Sequence, residues 1–452
     1  MDFGVKIPQL VASTGNVYSR SIAESRALER VPRTPLVENV DRMPKVRDSL
    51  EAQAEDDYFK TAQWSPDGTS ILTNSADNVV RTFIAPTDLL SDHSEPLDLK
   101  PYTSMVNAEP VYSLAPYPFF ALHESSTTLL LSAIRDHPIR LTNVLDPESK
   151  IIASYPLVSP TTESYQTPAS LIFSPAGTQF LTGTSCLISL FDLSVSGEGP
   201  VVRLPTIPSK RHKMKGGGVG MRGIVSALSM QPQSDGESRL LAAGTWTRSI
   251  GLYDAEGIGG TVATWNIHEA ADADAKICGS GVSQVLWSPC GRYLFVVERK
   301  SNGVLIYDVR VTGKLVGWLG DRAADTNQRL AVEVFDGGRS GCEIWAGGTD
   351  GIVKIWEGAG MVEGEVKCSW KWTAHDTAVT GTGVHPSGTV VVTSSGQRKE
   401  PSSDSSAREY AESHRDVMKS SDDFDPSSNL AGSSMNFGGR IVDNSVKIWS
   451  LL

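Results

Sequence analysis

Apolar and polar positions alternate, residue by residue, in seven short segments that are spread along most of the chain. Each segment ends in an apolar or aromatic residue followed by an acidic or polar one, as in VVRTFIA, PIRLTNV, LISLFDL, SIGLYDA, GVLIYDV, GIVKIWE and SVKIWS. Alternating β-branched and aromatic residues between Gly, Pro, Asn and Asp indicate β-strands separated by tight turns. The pattern therefore predicts repeated copies of one strand-rich unit.

A second motif precedes four of these segments and marks an earlier turn in the same unit. Because a unit of about 40–50 residues is too small to bury both faces of its own sheet, neighbouring units must pack together. We predict an all-β fold, a seven-bladed β-propeller in which each segment is the third strand of a blade. The turn motifs are WSPDG at Trp64–Gly68, FSPAG at Phe173–Gly177, WSPCG at Trp287–Gly291 and VHPSG at Val384–Gly388, and the other three copies are degenerate but correctly placed.

The endings of the third strands resemble those of WD-repeat propellers. Leu252–Asp254 and Ile306–Asp308 show the aromatic residue followed by Asp most clearly. The resemblance implies that the ring packs between blades and that the carboxylate closes a turn with a hydrogen bond. These motif residues are therefore expected to be structural.

The propeller is predicted over residues 57–452, after a flexible N-terminal tail over 1–56 that is rich in Arg, Ser and charged residues. Leu452 directly follows the last third strand. We therefore expect the later part of the tail to supply the outer strand of blade seven and so remove an exposed sheet edge. The predicted blades cover 58–105, 108–155, 165–205, 220–270, 280–320, 327–372 and 375–452.

Blade seven is interrupted between its second and third strands by residues 399–440. This stretch is rich in Ser and Asp and poor in large apolar residues, which predicts a disordered surface insert. Two interpretations of the insert are open. It is either a loop that binds a partner or is phosphorylated, or a solvated spacer.

Composition and charge restrict the class of protein. A net charge of −11 over 452 residues argues against a generally basic nucleic-acid binder, but it leaves a local basic face open. The five cysteines show no CxxC spacing, and the chain has no Asn-x-Ser/Thr sequon, no signal-like start and no apolar run of membrane length. We expect a soluble protein of a reducing intracellular compartment.

The turns between second and third strands carry the candidate chemistry. Two of them hold the ordinary Asp with Gly or Asn, at Ser75–Asn78 and Gly348–Gly351. Four others carry cations, and in a propeller all these turns open on one face, as does the connection that contains Arg329. The cations of the four turns are Arg135, Arg248, Arg299 with Lys300, and Arg398 with Lys399.

A ring of arginines at one end of a channel predicts an anion-recognition site, because the planar guanidinium matches phosphate and carboxylate. Phosphate is the simplest ligand. The alternative is that each arginine pairs with a neighbouring acidic residue, such as Asp136 or Glu298, and merely replaces the turn Asp.

A second basic feature lies between blades three and four, at 208–223. This loop is interpreted as a contact for an RNA backbone, as a localisation signal or as an exposed solvated loop. Gly218–Gly223 matches GxGxxG but precedes a strand instead of opening a helix, which excludes a dinucleotide site. The cations of the loop are Lys210, Arg211, Lys213, Lys215 and Arg222.

No arrangement of residues supports catalysis. His375 and His385 lack metal-ligand spacing and a partner cysteine, and the chain contains no Gly-x-Ser-x-Gly motif. We expect a protein that is not an enzyme and that holds no cofactor and no metal.

Longer motifs resemble the telomerase Cajal body protein family over nearly the whole propeller, and the chain is identified as a fungal-like member. The acidic N-terminus that is typical of animal members is reduced here, and the insert in blade seven differs. The matching stretches are Tyr58–Asn78 in blade one, Arg135–Ile139 in blade two, Thr245–Tyr253 in blade four, Thr326–Arg329 in blade six and Thr393–Arg398 in blade seven.

The resemblance implies a non-enzymatic scaffold that binds a loop box of small Cajal body guide RNA or telomerase RNA and directs the ribonucleoprotein to a nuclear body. It implies partners among ribonucleoprotein proteins, no membrane, no small-molecule substrate, and a monomer found in the nucleus, with the cytoplasm as a second location. Trp246 is a candidate for base stacking, or else an inter-blade core residue. The other expected RNA-binding residues are Arg135, Arg248, Arg299, Lys300, Arg329 and Arg398, with Lys210, Arg211, Lys213 and Lys215 as weaker backbone contacts.

Two alternatives to RNA binding remain open. The first is a protein-only WD-repeat scaffold associated with splicing or small nuclear ribonucleoprotein complexes, in which the arginine face binds an acidic or phosphorylated peptide. The second is a generic WD-repeat adaptor, in which the cationic turns have no ligand.

Overall fold

The computed structural model describes residues 7–18, 20, 24–26, 58–208, 220–232, 239–254, 260–337, 341–398 and 443–452. These residues form seven mainly antiparallel sheets, and the innermost strands of neighbouring sheets contact one another around a central channel. The predicted seven-bladed β-propeller is confirmed. Within each blade the strands are named a to d from the channel outward.

Each segment with the alternating pattern forms a strand c, between the buried strand b and the outer strand d. The strands a to d of blade one are Phe59–Trp64, Ser70–Ser75, Val79–Ile84 and Thr103–Val106; of blade two Val111–Pro116, Leu129–Ile134, Ile139–Asn143 and Ile151–Tyr155; of blade three Ser170–Phe173, Gln179–Thr184, Leu187–Asp192 and Val202–Pro205; and of blade four Val225–Met230, Leu240–Thr245, Ser249–Asp254 and Thr261–Asn266.

Blades five and seven each receive an additional short parallel strand from a neighbouring blade, Gly364–Val366 and Leu97–Asp98 respectively. A single π-helical turn, Ala270–Asp274, follows blade four. The strands a to d of blade five are Val282–Trp287, Tyr293–Glu298, Val304–Asp308 and Leu315–Leu319; of blade six Val332–Asp336, Cys342–Gly347, Ile352–Trp356 and Trp370–Thr373; and of blade seven Val379–Val384, Val390–Ser395, Val446–Ser450 and Gln9–Ser13.

Blade seven is closed by the N-terminal strand Gln9–Ser13, which pairs antiparallel with Val446–Ser450. The sequence predicted that the later part of the segment 1–56 would supply this strand. The strand instead comes from the beginning of that segment. This short stretch can complete the sheet because it turns Ala12 toward the core, where the residue is fully buried. Residues 27–57 and the predicted insert 399–440 lie outside the described residues.

Hydroxyl groups near the start of strand a tie the inner strands of blades three and four to the next blade. Ser170 Oγ donates to the carbonyl of Val225 at 2.9 Å, and Ser226 Oγ donates to the carbonyl of Val282 at 2.5 Å. The glycine at 381 is needed for the same reason at the ring closure, since a Cβ there would lie 2.9 Å from the backbone nitrogen of Ala62. The inner strands therefore form a closely spaced ring.

A buried hydrogen-bonded chain crosses blade seven and fixes the two ends of the segment that lies outside the described residues. His375 Nδ1 lies 3.2 Å from Asp443 Oδ2, and His375 Nε2 lies 2.8 Å from Thr393 Oγ1. Trp449 Nε1 donates to the same threonine oxygen at 2.9 Å. Burial lowers the pKa of His375, so the ring is neutral and its Nε2 accepts a hydrogen bond from the threonine hydroxyl. Asp443, which follows the undescribed segment, is thereby linked to Thr393, which precedes it.

We expect Thr393→Val to lower the free energy of unfolding by about 1–3 kcal/mol, because it leaves the buried nitrogens of His375 and Trp449 without a partner. Thr382→Val is the matched control. Thr382 is also buried in blade seven, but its hydroxyl has no hydrogen-bond partner among the described residues. Chemical denaturation of both variants measures the difference. Equal destabilisation would show that the hydrogen-bonded chain does not stabilise the blade.

Candidate functional site at the channel mouth

The alternating strand directions place two kinds of connection at one end of the channel. Every strand a starts at this end, so each b-to-c turn and each d-to-a connection also lies there. We call this end the upper face. The turns with the WSPDG-type motif join strand a to strand b and lie on the opposite, lower face.

Four cations from four blades come together on the upper face: Lys60, Arg299, Arg329 and Arg398, which we call the cationic mouth. Burial lowers the pKa of Arg299, and the charge of Arg398 lowers it further. Burial likewise lowers the pKa of Arg329 to about 10, with a further contribution from Arg299. Burial also lowers the pKa of Lys60; Asp77 opposes this shift and Arg398 adds to it. These groups therefore act on one another through their charges.

The cationic mouth has no ion pair among the described residues, although the chain as a whole is acidic. Three members, Lys60, Arg299 and Arg329, are also partly buried, and within the described part of the chain the Arg299 Nε has no hydrogen-bond partner. A desolvated cation without a counter-ion is unfavourable, and a neighbouring cation adds to the cost. An anion at this position would remove both penalties.

Arg329 reaches over the channel opening from the connection that precedes blade six. Its Nη2 donates to the carbonyl of Ser226 in blade four at 3.0 Å. The arginine therefore passes blade five and holds one part of its guanidinium against the inner ring. The connection that carries it is shaped by Thr326, whose Oγ1 accepts from the backbone nitrogen of Gln328 at 3.1 Å.

Arg299 is stacked on an exposed tryptophan. Its Cζ lies 5.0 Å from the ring centroid of Trp246, within the range of a cation–π contact. Trp246 occupies the b-to-c turn of blade four, and 44% of its surface is exposed. The structure thus places Trp246 at the surface and not in the inter-blade core. An aromatic surface beside cations is suited to a ligand that has both rings and negative charge.

Arg248 lies in the turn expected from the sequence, but its side chain is directed into the fold. Only 6% of the residue is exposed. Its donors contact Glu298 at 2.6 and 3.0 Å, Asp272 at 2.7 and 2.8 Å, and His268 Nδ1 at 2.9 Å. A guanidinium has five N–H donors, and all of them are used here. Arg248 therefore does not belong to the cationic mouth. It pairs with Glu298, as in the alternative that the sequence left open.

Arg135 is also paired. Its Nη2 contacts Glu109 Oε2 at 2.5 Å, and its Nε lies 3.8 Å from Asp136 Oδ2. The hydrogen bond and the charge of Glu109 raise the pKa of Arg135. Arg135 is half-exposed in blade two, and its guanidinium lies against these two carboxylates.

The remaining predicted residues are divided between the surface and the undescribed loop. Lys300 is exposed next to Arg299, and its backbone nitrogen donates to Thr326 at 3.0 Å. Lys210, Arg211, Lys213 and Lys215 lie outside the described residues, whereas the ends of their loop, 208 and 220, are on the upper face.

Sequence reasoning missed Lys60 and Gln328. The candidate cations were all in turns or connections, whereas Lys60 is the second residue of an inner strand. Its place in the quoted stretch Tyr58–Asn78, at the start of a strand a, is the signal that was available. Gln328 is uncharged, and nothing in its residue type indicates its contacts.

Two further findings limit the chemistry of the described residues. They contain no group of three or more His, Cys, Asp or Glu side chains placed to hold a metal ion. They also include no helix that is long and apolar enough to cross a membrane.

The fold and the mouth define a propeller with a cationic face at one end of its channel. No family model matches the chain. The chain is 29% identical over 352 residues to the telomerase Cajal body protein 1 of Rattus norvegicus, a match that covers 76% of this chain and 60% of the relative. The resemblance inferred from the motifs is thereby confirmed. This chain spans about three fifths of the length of that relative.

Fungal proteins are among the relatives as well. The chain is 29% identical over 309 residues to the guanine nucleotide-binding protein negative regulator 1 of Schizosaccharomyces pombe, covering 68% of this chain and 72% of the relative. It is 23% identical over 259 residues to protein SWT21 of Zygosaccharomyces rouxii, covering 57% and 56%. The similarity therefore extends across animal and fungal proteins.

We expect Arg248→Ala to lower the free energy of unfolding by about 3–5 kcal/mol near neutral pH, because it leaves a buried carboxylate unpaired. Burial already raises the pKa of Glu298, and Arg248 opposes this rise. Without Arg248 the folded-state pKa rises further above the unfolded value, so the penalty applies while Glu298 is charged and diminishes as falling pH protonates it. Denaturant unfolding at neutral and mildly acidic pH checks the size and the sign.

The double variant Arg248→Ala/Glu298→Ala is the control for this interpretation. It should regain part of the lost stability, since no buried charge is left without a partner. A stable Arg248→Ala variant that loses an RNA ligand would instead return Arg248 to the binding site expected from the sequence.

Proposed function

We propose that this chain is a non-enzymatic RNA-binding scaffold whose cationic mouth takes the single-stranded loop of an RNA. The observation that carries the proposal is the cluster of Arg299, Arg329 and Arg398, which have no ion pair among the described residues, next to the exposed ring of Trp246. A single-stranded RNA loop offers a partner for both the arginines and the tryptophan. Its phosphates supply negative charge, and its unstacked bases supply flat rings.

The division of labour within the mouth follows from exposure. Arg398 is exposed and Arg299 is partly exposed, so their donors are accessible to phosphate oxygens. Trp246 offers its uncovered surface for a base, while Arg299 covers part of the ring. Lys300 and the loop cations Lys210, Arg211, Lys213 and Lys215 are proposed as weaker contacts to the RNA backbone farther out.

The relatives suggest the class of RNA. One group is named for telomerase and for the Cajal body. We infer that the ligand is a small Cajal body guide RNA or telomerase RNA, that ribonucleoprotein proteins are partners, and that the complex is directed to a nuclear body. The match covers about 60% of those relatives, so each of these statements about the whole protein is part of the proposal.

A second function is favoured by the name of one fungal relative, which describes the regulation of a guanine nucleotide-binding protein. In this alternative the chain is a protein-only scaffold, and the cationic mouth binds an acidic or phosphorylated peptide of a partner. Both ligands are anionic, but RNA releases more condensed counter-ions on binding, so salt dependence separates them.

We expect Arg398→Gln and Arg299→Gln each to weaken binding of a single-stranded RNA loop and to reduce the slope of log affinity against log salt by about 0.7 per lost phosphate contact. Arg310→Gln is the matched control. Arg310 is 59% exposed in the side chain and pairs with Asp308 on the lower face. Titrations at several salt concentrations measure both quantities.

Crosslinking to RNA in cells extends this test to the natural ligand. Small nuclear guide RNAs or telomerase RNA should be recovered with the wild type and with Arg310→Gln, and be depleted with Arg398→Gln. If no RNA is enriched by the wild type, the protein-only scaffold is the better description.

We expect Trp246→Ala to weaken RNA binding by about 1–3 kcal/mol per stacked base without changing the salt slope, because stacking involves no counter-ion release. Trp246→Phe retains an aromatic face and should recover much of the affinity. The comparison of the two variants isolates stacking. Equal losses for both would indicate that the indole acts only as the platform for Arg299.

A further inference from the structure

The amide of Gln328 bridges blade six and blade seven at the edge of the cationic mouth. Its Nε2 donates to the carbonyl of Gly396 at 2.9 Å, and its Oε1 accepts from the backbone nitrogen of Arg398 at 2.9 Å. The orientation of the amide is fixed by this pair, since the carbonyl can only accept and the backbone N–H can only donate. The side chain of Gln328 therefore makes the two hydrogen bonds to Gly396 and Arg398 that the backbone of a neighbouring strand would otherwise make.

Arg398 has little other support among the described residues. Strand b of blade seven ends at Ser395, and the described chain stops at Arg398. Gly396 donates to the carbonyl of Ala378 at 3.0 Å, but the bond to Gln328 is the one recorded for the backbone nitrogen of Arg398. The glycine has a φ of +137°, and a Cβ there would lie 2.3 Å from the Cβ of Tyr58.

Arg398 lies close enough to two other cations of the mouth for their charges to interact. The charge of Arg398 acts on Arg299 and on Lys60, and repulsion between these cations opposes their approach. An exposed arginine without a counter-ion would otherwise move outward into solvent. The hydrogen bonds from Gln328 to Arg398 and Gly396 hold this backbone at the mouth.

We propose that Gln328 is a positioning residue that holds the backbone of Arg398 so that its guanidinium stays beside Arg299, ready to share an RNA phosphate. This inference rests on the proposed function and names a residue that does not itself touch the ligand. Gln328 also connects Arg398 to Arg329, its neighbour in the chain, so that the two arginines are placed by one segment.

The same device occurs elsewhere in the fold with a purely structural result. Gln284 Oε1 accepts from the backbone nitrogen of Val332 at 2.8 Å, and its Nε2 donates to the carbonyl of the same residue at 3.3 Å. On the lower face, Gln231 Nε2 donates to the carbonyl of Gly291 at 2.8 Å, and its Oε1 accepts from Leu240 at 3.1 Å. These glutamines hold strands and turns, whereas Gln328 holds a residue of the cationic mouth.

The experiment compares Gln328→Met, Arg398→Gln and the double variant in binding a single-stranded RNA loop at several salt concentrations. Methionine keeps the volume and the neutral charge of glutamine but makes neither hydrogen bond. We expect Gln328→Met to weaken binding about tenfold, like the loss of one charge-assisted contact, and to reduce the salt slope by about 0.7. The double variant should bind no more weakly than Arg398→Gln alone, since both changes remove the same contact.

Gln231→Met is the control for a merely structural effect. It removes an equivalent pair of hydrogen bonds on the lower face, and should leave both affinity and salt slope as in the wild type. Wild-type affinity in Gln328→Met, or full additivity with Arg398→Gln, would overturn the inference. Unchanged binding in Arg398→Gln itself would exclude Arg398 from the site and overturn the proposed contact.

Amide hydrogen exchange in the absence of RNA tests the positioning separately from the RNA ligand. The segment 396–398 should exchange faster in Gln328→Met than in the wild type and should be unaffected in Gln231→Met. If Gln328→Met is too unstable for binding assays, Thr326→Val takes its place in the exchange measurement. Thr326→Val removes one hydrogen bond to Gln328 and should increase exchange at 396–398 by a smaller amount. Unchanged exchange in both variants would overturn the positioning role whatever the RNA result.

Discussion

Closure of the ring is the constraint on which the rest of the structure depends. The strand Gln9–Ser13 pairs along its length with Val446–Ser450, and a short parallel strand covers its end at Ala12 and Ser13, so strands from both ends of the chain complete blade seven. Closure also sets blade one against blade seven, where Trp64 Nε1 donates to the carbonyl of Gly383 at 3.0 Å. At the other end of the same inner strand, Gly396 of blade seven packs against Tyr58 of blade one, and this packing brings Lys60 near Arg398. Without it, the cationic mouth would be an open row of residues.

The distribution of carboxylates, and not the number of arginines, defines the candidate site. Arg81 is almost fully buried and contacts Glu24 at 2.8 Å and Asp77 at 2.6 Å, much as Arg248 contacts Glu298 and Asp272. Arg299, Arg329 and Arg398 have the same residue type but face the channel opening, where no carboxylate pairs with them among the described residues. The arginines that have a counter-ion stabilise the fold. The arginines without a counter-ion among the described residues are the candidate ligand contacts.

Sequence patterns predicted the fold better than the site, for a physical reason. Strand alternation and turn residues are local, so the third strands and the number of blades could be read from the chain. The pairing of Arg248 depends on Glu298 and Asp272, which are 50 and 24 residues away, and no local pattern contains that information. The same holds for Gln328 and Arg398, at a separation of 70 residues. The closing strand was also misplaced within the tail, because its five residues form no repeat that distinguishes them.

The charges of the mouth determine which solution conditions affect the binding of a ligand. Burial and neighbouring cations lower the pKa of Arg329 only to about 10, so this group stays protonated throughout the neutral range. The pKa of Arg299 is lowered by the same causes, burial first, and an anion placed between the two would oppose both shifts. Arg329 should therefore exchange no proton when a ligand binds near neutral pH, while the release of counter-ions remains large. Ionic strength, more than pH, is the solution variable to which this site is physically sensitive.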